Sequence, residues 1–259
     1  AVVSLSLGVF GLVTAEFLPV SLLTPISQDL AITPGTAGQT ITATAVIGAI
    51  AGPGVVIGTR NLDRRWVLLT LTTLLVVSST LAALASSLPM LLVARLLLGI
   101  GLGGFWAMSA ALAMRLVPEH LMPRAMAIVF TGVSVATVCA APLGAWIGAT
   151  LGWRAAFALS AGVGVVALLV QAFTVPSLPP RGSASLATMV SLLGRPRVRV
   201  GLIVTLIIVA GHFAGFTYVR PYLEQIPRFS VEMISLVLLA YGVAGFFGNL
   251  LGGAIASRS

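Results

Sequence analysis

The chain alternates between long apolar runs and short polar breaks, and this pattern predicts eight membrane-spanning helices. Each run reaches roughly the 20 residues that an α-helix needs to cross the hydrocarbon core of a bilayer. We place the spans at residues 2–26, 37–59, 67–87, 89–114, 124–149, 155–175, 200–223 and 232–256. The longest polar break, residues 176–199, separates the first six spans from the last two.

The composition of the chain argues against a soluble fold. Hydrophobic residues make up 58% of the chain and charged residues 8%, whereas a soluble domain has roughly 25% charged residues. We therefore expect an all-α membrane protein. Its net charge of +8 suits an anionic membrane surface and not nucleic acid, because basic and aromatic residues do not interleave. Cys139, His120 and His212 lack ligand spacing, so no metal and no cofactor is expected.

The arginines alternate between successive predicted loops. Residues 60–65, 115–124 and 179–199 are basic, whereas residues 85–89 carry no charge. The positive-inside rule then makes the basic loops cytoplasmic, in an inner membrane, with both ends of this segment in the cytoplasm.

We expect three parts along the chain. They are a six-helix bundle at 1–175, a cytoplasmic linker at 176–199 and the start of a second bundle at 200–259, with helices 7 and 8. Because only two spans follow the linker, we expect the chain to be part of a longer protein.

Span 4 carries an arginine, Arg95, inside its apolar run. Burying a guanidinium in the membrane costs at least ~2.5–3.5 kcal/mol on insertion scales. Helical spacing places Arg95 on one stripe with Gly99, Leu102, Trp106 and Ser109, which predicts a face that lines a polar cavity. The alternative is that Arg95 only snorkels to the nearby interface.

Spans 5 and 8 carry small residues at every fourth position. The stripes are Gly132, Ala136, Ala140, Gly144 and Gly148 in span 5, and Ala244, Gly248, Gly252 and Ala256 in span 8. Small residues let helices approach closely in lipid, so we expect Gly144 or Gly148 to contact the Ala244–Gly252 face. Pro142 removes one backbone hydrogen bond and is expected to bend span 5.

Several motifs, in order along the spans, resemble the major facilitator superfamily. Arg95 to Gly99 is similar to its proton-linked signature, and Gly58 with Asp63-Arg64-Arg65 to its cytoplasmic gating motif. Ala141-Pro142-Leu143-Gly144 resembles the antiporter motif, and Glu16 to Pro25 resembles the first span of the drug–proton antiporter group. The resemblance implies the major facilitator fold, here as the first six-helix bundle plus two helices of the second.

Within that group, some strings are most similar to carriers that export purine ribonucleosides. They are EFLPVSLLTP at 16–25, LGGFWAMSA at 102–110 and FTYVRP at 216–221. The resemblance implies proton-coupled efflux of a small solute, a purine ribonucleoside, by alternating access. Sugar or multidrug efflux by the same mechanism is the alternative, and a non-transporting receptor or scaffold is the remote one. No nucleophile–base pair has usable spacing, so we do not expect an enzyme.

The candidate site is made of the few polar and aromatic groups inside the spans. An ionisable residue within the membrane is a functional hypothesis by default, so Glu16 and Arg95 are the predicted proton-coupling residues. The predicted substrate cavity contains Trp106, Ser109, His212, Phe216 and Tyr218, and the predicted gating and packing residues are Asp63, Arg64, Pro142, Gly144 and Gly148.

Two further expectations concern how this site works. Substrate and proton are expected to compete for one pocket that contains Glu16. Arg220, next to Pro221, is expected to anchor at the external interface. The expected partners are a small-molecule substrate, the proton and the lipid bilayer, with the carrier monomeric and no nucleic acid bound.

Overall fold

The structure, a computed structural model, describes residues 1–180, 191, 193–225 and 228–256. All regular secondary structure in these residues is helical. The helices are α1 (Val2–Asp29), α2 (Pro34–Gly58), α3 (Arg64–Ala83), α4 (Leu88–Leu116), α5 (Met122–Thr150), α6 (Trp153–Thr174), α7 (Pro196–Phe216), α8 (Val219–Gln225) and α9 (Val231–Ala256), with a 3₁₀ turn at Glu119–Leu121.

The prediction of eight spans is confirmed. Within the described residues eight helical segments are long and apolar enough to cross a membrane, with α7 and α8 together forming the seventh. The helix starts follow local capping chemistry. The Thr33 hydroxyl accepts a hydrogen bond from the Thr36 amide at the start of α2, and the Asp63 carboxylate accepts one from the Arg65 amide at the start of α3.

The seventh span is broken near its end, which the sequence pattern did not predict. The helix is interrupted at Thr217 and Tyr218 before α8 begins at Val219. Pro221 explains the position, because a proline has no amide hydrogen and its ring clashes with the carbonyl four residues earlier, here that of Thr217. Residues 186–193, where the pattern suggests a short interfacial helix, lie largely outside the described residues.

The prediction about the small-residue stripe of span 5 is wrong about its partner. A Cβ atom added to Gly132, Gly144 or Gly148 would collide with Ser6, Ser21 or Leu22, all of α1. The stripe therefore packs against α1, while a Cβ atom on Gly245 or Gly248, in the described part of the α9 face, would have nothing within 4 Å. Two long helices that cross closely need small residues at the contact, and α1 presents Ser6 and Ser21 there.

Helices α5 and α9 do pack together, but through other residues. A Cβ atom on Gly242 of α9 would lie 2.7 Å from Cα of Val138, so the two backbones nearly touch at this point. Ala141 and Ala145 of α5 form a buried apolar cluster there with Leu223, Ile234 and Leu238. This contact joins the second group of helices to the first.

The close packing of α2 against α4 was not predicted. A Cβ atom on Gly103 would collide with the Gly48 carbonyl, and one on Gly99 would lie 2.7 Å from the Thr44 carbonyl oxygen. Gly48 with Gly52, and Gly99 with Gly103, each form a G-x-x-x-G pair, so the sequence did contain the signal.

Hydrogen bonds at the two ends of the bundle show which loops lie together. At one end, here called the Arg154 end, Arg154 forms an ion pair of 2.8 Å with Asp29 and donates to the Ala85 carbonyl. At the opposite Asp63 end, Arg65 donates to the Ala172 carbonyl over 2.8 Å. The loops therefore alternate between ends, as a chain of antiparallel spans requires.

Candidate functional site

A first cavity, here called the carboxylate cavity, lies between α1, α2 and α7 and has a volume of about 510 Å³. Glu16 is the acidic group among its described lining residues, and Thr42, Thr44, Thr217 and Tyr218 are the lining residues with hydroxyls. The other lining residues are Gly38, Ile41, Ala45, Val46, Leu206, Val209, Ala210, Phe213 and Ala214. The cavity is therefore mostly apolar around one carboxyl group.

A second cavity, here called the aromatic cavity, lies between α1, α5, α7 and α9 and has a volume of about 370 Å³. His212 and Phe216 of α7 line it together with Tyr241 of α9. The other lining residues are Phe17, Val133, Ser134, Thr137, Gly242, Ala244, Gly245 and Phe246. It joins two helices of the first six to two helices that follow the linker.

The seam between α1 and α7 separates the two cavities. The neighbours Glu16 and Phe17 line different cavities, and so do His212 and Phe213. Across the seam the rings of Phe17 and Phe213 stack with centroids 6.1 Å apart and planes 12° apart. The structure thus brings Glu16 together with Tyr218, and His212 together with Phe216, but it does not bring all four into one pocket.

Arg95 lies behind the carboxylate cavity and is not exposed in it. Its side chain is 2% exposed, Nη1 donates to the Ala15 carbonyl over 2.9 Å, and the guanidinium lies 4.5 Å from the Phe157 ring centroid. Nε and Nη2 have no partner among the described residues, and no ion pair joins Arg95 to Glu16 there. Burial inside the bundle does not fit the alternative of a snorkelling arginine.

Trp106 and Ser109 line neither of these cavities. The Trp106 ring is 37% exposed and packs against Phe130 of α5 with centroids 6.2 Å apart. The Ser109 hydroxyl donates to the Trp106 carbonyl over 3.1 Å. On the stripe that begins at Arg95, Ser109 is therefore buried by packing, whereas Trp106 stays partly exposed.

Asp63 holds the segment that follows α6 against the start of α3. Its carboxylate accepts hydrogen bonds from the Ser177 hydroxyl and from the Leu178 amide, the latter over 2.8 Å. Partial burial acts to raise the pKa of Asp63, but these bonds, the Arg65 amide and the charge of Arg115 leave the pKa below its ordinary value of 3.8. The stabilising effect is therefore present above pH 3.8 and is lost only as the pH falls through the lowered value.

The other gating and packing candidates have local contacts. Arg64 Nη1 donates to the hydroxyl and carbonyl oxygens of Thr59 over 2.9 and 3.2 Å. Pro142 lies inside α5, close in sequence to Gly144 and Gly148, which face α1.

A buried ionic contact involving Arg220 was not foreseen. Arg220 is 5% exposed, pairs with Glu224 over 2.8 Å, and donates to the Ser21 carbonyl of α1. Glu224 in turn accepts a hydrogen bond from Thr24. Arg220 therefore links α8 to α1 and is not an exposed anchor. The spacing of Arg220 and Glu224 on one helix was the available signal.

Tyr241 is the second functional candidate that sequence reasoning missed. It joins His212 and Phe216 only because α9 lies beside α7, and no motif marks that contact. Among the described residues no group of three or more His, Cys, Asp or Glu side chains could hold a metal ion.

The chain matches known proteins along its whole length. The family described as Major Facilitator Superfamily matches residues 5–259. The chain is 43% identical over 259 residues to the purine ribonucleoside efflux pump NepI of Shigella dysenteriae serotype 1 (strain Sd197), covering 100% of the chain and 66% of that protein. It is 42% identical to the NepI of Salmonella typhimurium (strain LT2), covering 65% of it. The chain thus spans about two thirds of the length of these relatives.

Solved structures share the fold at low sequence identity. A bacterial homolog of the human lysosomal transporter Spinster, inward-facing and occupied, superposes with a TM-score of 0.82 at 18% identity, covering 99% of this chain and 61% of that one. A D-xylose–proton symporter superposes with a TM-score of 0.72 at 20% identity, covering 99% of this chain and 68% of that one.

Proposed function

Since the chain belongs to the Major Facilitator Superfamily, a family of transporters, we propose that it is part of a carrier that exports purine ribonucleosides in exchange for protons. The observation that carries the proposal is the 43% identity over all 259 residues to a protein named as a purine ribonucleoside efflux pump. The arrangement of the two cavities is consistent with that function, because one offers an ionisable group and the other offers aromatic rings.

Glu16 is the proposed proton site. A carboxylate in an apolar cavity within the membrane is costly, and binding a proton removes the buried charge. Arg95 is proposed to tune this step, because it donates to the carbonyl of Ala15, the residue before Glu16. A coupling of ~1–3 kcal/mol between proton and substrate suffices for exchange.

The remaining candidates are proposed to bind substrate or to control access. His212 and Phe216 form the centre of the proposed substrate region. Tyr218, in the carboxylate cavity, and Trp106 and Ser109, which line neither cavity, stay substrate candidates for the complete carrier. Alternating access would rock the first bundle, residues 1–175, against the second, which begins at residue 200 after the linker. Asp63 and Arg64 are the proposed gating residues at the Asp63 end. The glycines of α5 are proposed to keep α5 packed against α1.

The sidedness follows from the positive-inside rule. The Asp63 end carries Arg60, Arg64, Arg65, Arg115 and Arg124, so we propose that it faces the cytoplasm from the inner membrane. The link from Arg220 and Glu224 to α1 then closes the external end. The carrier is proposed to act as a monomer without a cofactor.

A counterflow experiment tests the cargo. The liposomes contain the complete protein and about 1 mM unlabelled inosine, at the upper end of the usual range of KM values. They should accumulate labelled inosine from the outside. Unlabelled xylose inside the liposomes should not support this exchange. No accumulation with inosine inside would contradict the proposal, and accumulation of labelled xylose against internal xylose would favour a sugar carrier.

A further inference from the structure

Three side chains of the aromatic cavity, His212, Phe216 and Tyr241, form a cluster of rings whose centroids lie 4.9 to 6.2 Å apart. Phe216 lies 4.9 Å from Tyr241 with planes 18° apart, and 5.8 Å from His212 with planes 21° apart. Phe17 of α1 meets Phe216 edge-on at 6.0 Å. Aromatic side chains bind nucleobases by stacking, because every base has a π-face. The cluster therefore suits a flat heteroaromatic ligand.

Tyr241 and His212 add a polar edge to this cluster. The Tyr241 hydroxyl oxygen lies 3.3 Å from Nδ1 and 3.4 Å from Nε2 of His212. A tyrosine hydroxyl both donates and accepts, and a neutral imidazole has one donor and one acceptor nitrogen. The pair can therefore match a base edge, which also carries donors and acceptors side by side.

The wall of the cavity on α5 suits a sugar. The Ser134 hydroxyl donates to the Phe130 carbonyl over 3.2 Å, and the Thr137 hydroxyl donates to the Val133 carbonyl over 2.9 Å. Each hydroxyl oxygen keeps lone pairs that accept hydrogen bonds. Ribose hydroxyls can donate to these oxygens without breaking the bonds within α5.

The charge and size of the cavity narrow the ligand class. The described residues that line it include no Asp, Glu, Lys or Arg. A phosphate group is bound best by cations, so a nucleotide is disfavoured and a neutral nucleoside is favoured. The volume of about 370 Å³ lies in the range of roughly 300–1,000 Å³ that small-molecule sites occupy.

We propose that the aromatic cavity binds the base of a neutral purine ribonucleoside and that Tyr241 is a specificity-determining residue of this site. The inference rests on the proposed function and adds the place of the base within the molecule. It also separates the substrate from Glu16. Proton and substrate then influence each other across the α1–α7 seam, through Phe17 and Phe213, and do not compete for one pocket.

Equilibrium binding of inosine and adenosine to the complete, purified protein tests the inference. These nucleosides share the ribose and differ at position 6 of the base, so their affinity ratio reports on base-edge recognition. Tyr241→Phe keeps the ring and its stacking on Phe216 but removes the hydroxyl. It should weaken binding of the preferred nucleoside by about tenfold, the effect of one hydrogen bond, and bring the ratio towards one.

Two further variants separate recognition from folding. Tyr222→Phe is the matched control, because Tyr222 is 59% exposed and lines neither cavity, and it should leave both affinities unchanged. Phe216→Leu should weaken both nucleosides by a similar factor and leave their ratio unchanged. The elution profile of each purified variant in size-exclusion chromatography checks that it folds.

The outcomes distinguish this inference from the proposed function. Wild-type affinities and ratio in Tyr241→Phe would overturn the inference while the proposed function stands, and so would a wild-type protein that does not discriminate between the two nucleosides. A wild-type protein that binds neither nucleoside and shows no inosine counterflow would overturn both.

Discussion

The carboxyl group of Glu16 is the residue on which proton coupling is proposed to depend. Glu16→Gln keeps the shape of the side chain but cannot take up and release a proton. We expect substrate binding to stay within about tenfold of the wild type, because Glu16 lines the carboxylate cavity and not the aromatic cavity, where the nucleoside is proposed to bind. Export should lose its dependence on pH. Unchanged pH dependence in this variant would move the proton site elsewhere, with His212 as the next candidate.

Arg95 gives a second prediction at this scale. Arg95→Lys keeps the positive charge but loses the planar group that lies over Phe157 and donates to Ala15. Export should fall only in part, because the positive charge is kept. Its pH optimum should shift, because the contact with the residue before Glu16 changes. Arg60→Lys, at an exposed loop position, is the control and should export as the wild type does. A wild-type pH profile in Arg95→Lys would exclude the proposed tuning role.

Sequence reasoning found single residues better than it found their partners. Glu16 and Arg95 could be selected because ionisable side chains are rare in apolar runs. The separation of Glu16 from His212 could not, because it depends on where α7 lies relative to α1. Tyr241 was missed for the same reason, since its contact with His212 joins residues 29 positions apart on neighbouring helices.

At the scale of helices, the contact between α2 and α4 depends on glycine. Gly103→Ala should destabilise the protein by at least ~1–3 kcal/mol, because its Cβ meets the backbone of Gly48 and a backbone cannot move aside as a side chain can. Gly54→Ala is the matched control, since nothing lies within 4 Å of its added Cβ, and it should be nearly neutral. Thermal unfolding of both purified variants checks this. Equal melting temperatures would contradict the close contact.

The number of helices could be predicted, but their exact ends and neighbours could not. Apolar length alone identifies a span, which is why eight were found. The start of α3 at Arg64 depends on the cap at Asp63, and the break before α8 depends on Pro221. The stripe of span 5 correctly indicated close packing. Its choice of α1 over α9 is a property of the assembled bundle and is not encoded in the spacing.

At the scale of the molecule, the two ends should lie on opposite sides of the membrane. With Cys139 replaced by Ser, single cysteines at Leu62 and Leu151 provide a matched pair, because both positions are exposed turns, one at each end. Leu151→Cys should react with a membrane-impermeant thiol reagent added outside the cell, and Leu62→Cys should react only after the membrane is opened. External labelling of Leu62→Cys would reverse the proposed orientation.

Proton-driven export of a purine ribonucleoside is the central claim, and uptake by inverted membrane vesicles tests it most directly. Vesicles that contain the complete protein, with an imposed gradient that is acidic inside, should accumulate labelled inosine. Accumulation should stop when a protonophore removes the gradient, and vesicles without the protein should show none. Equal inosine uptake with and without the gradient, or no uptake above the protein-free vesicles, would contradict the account.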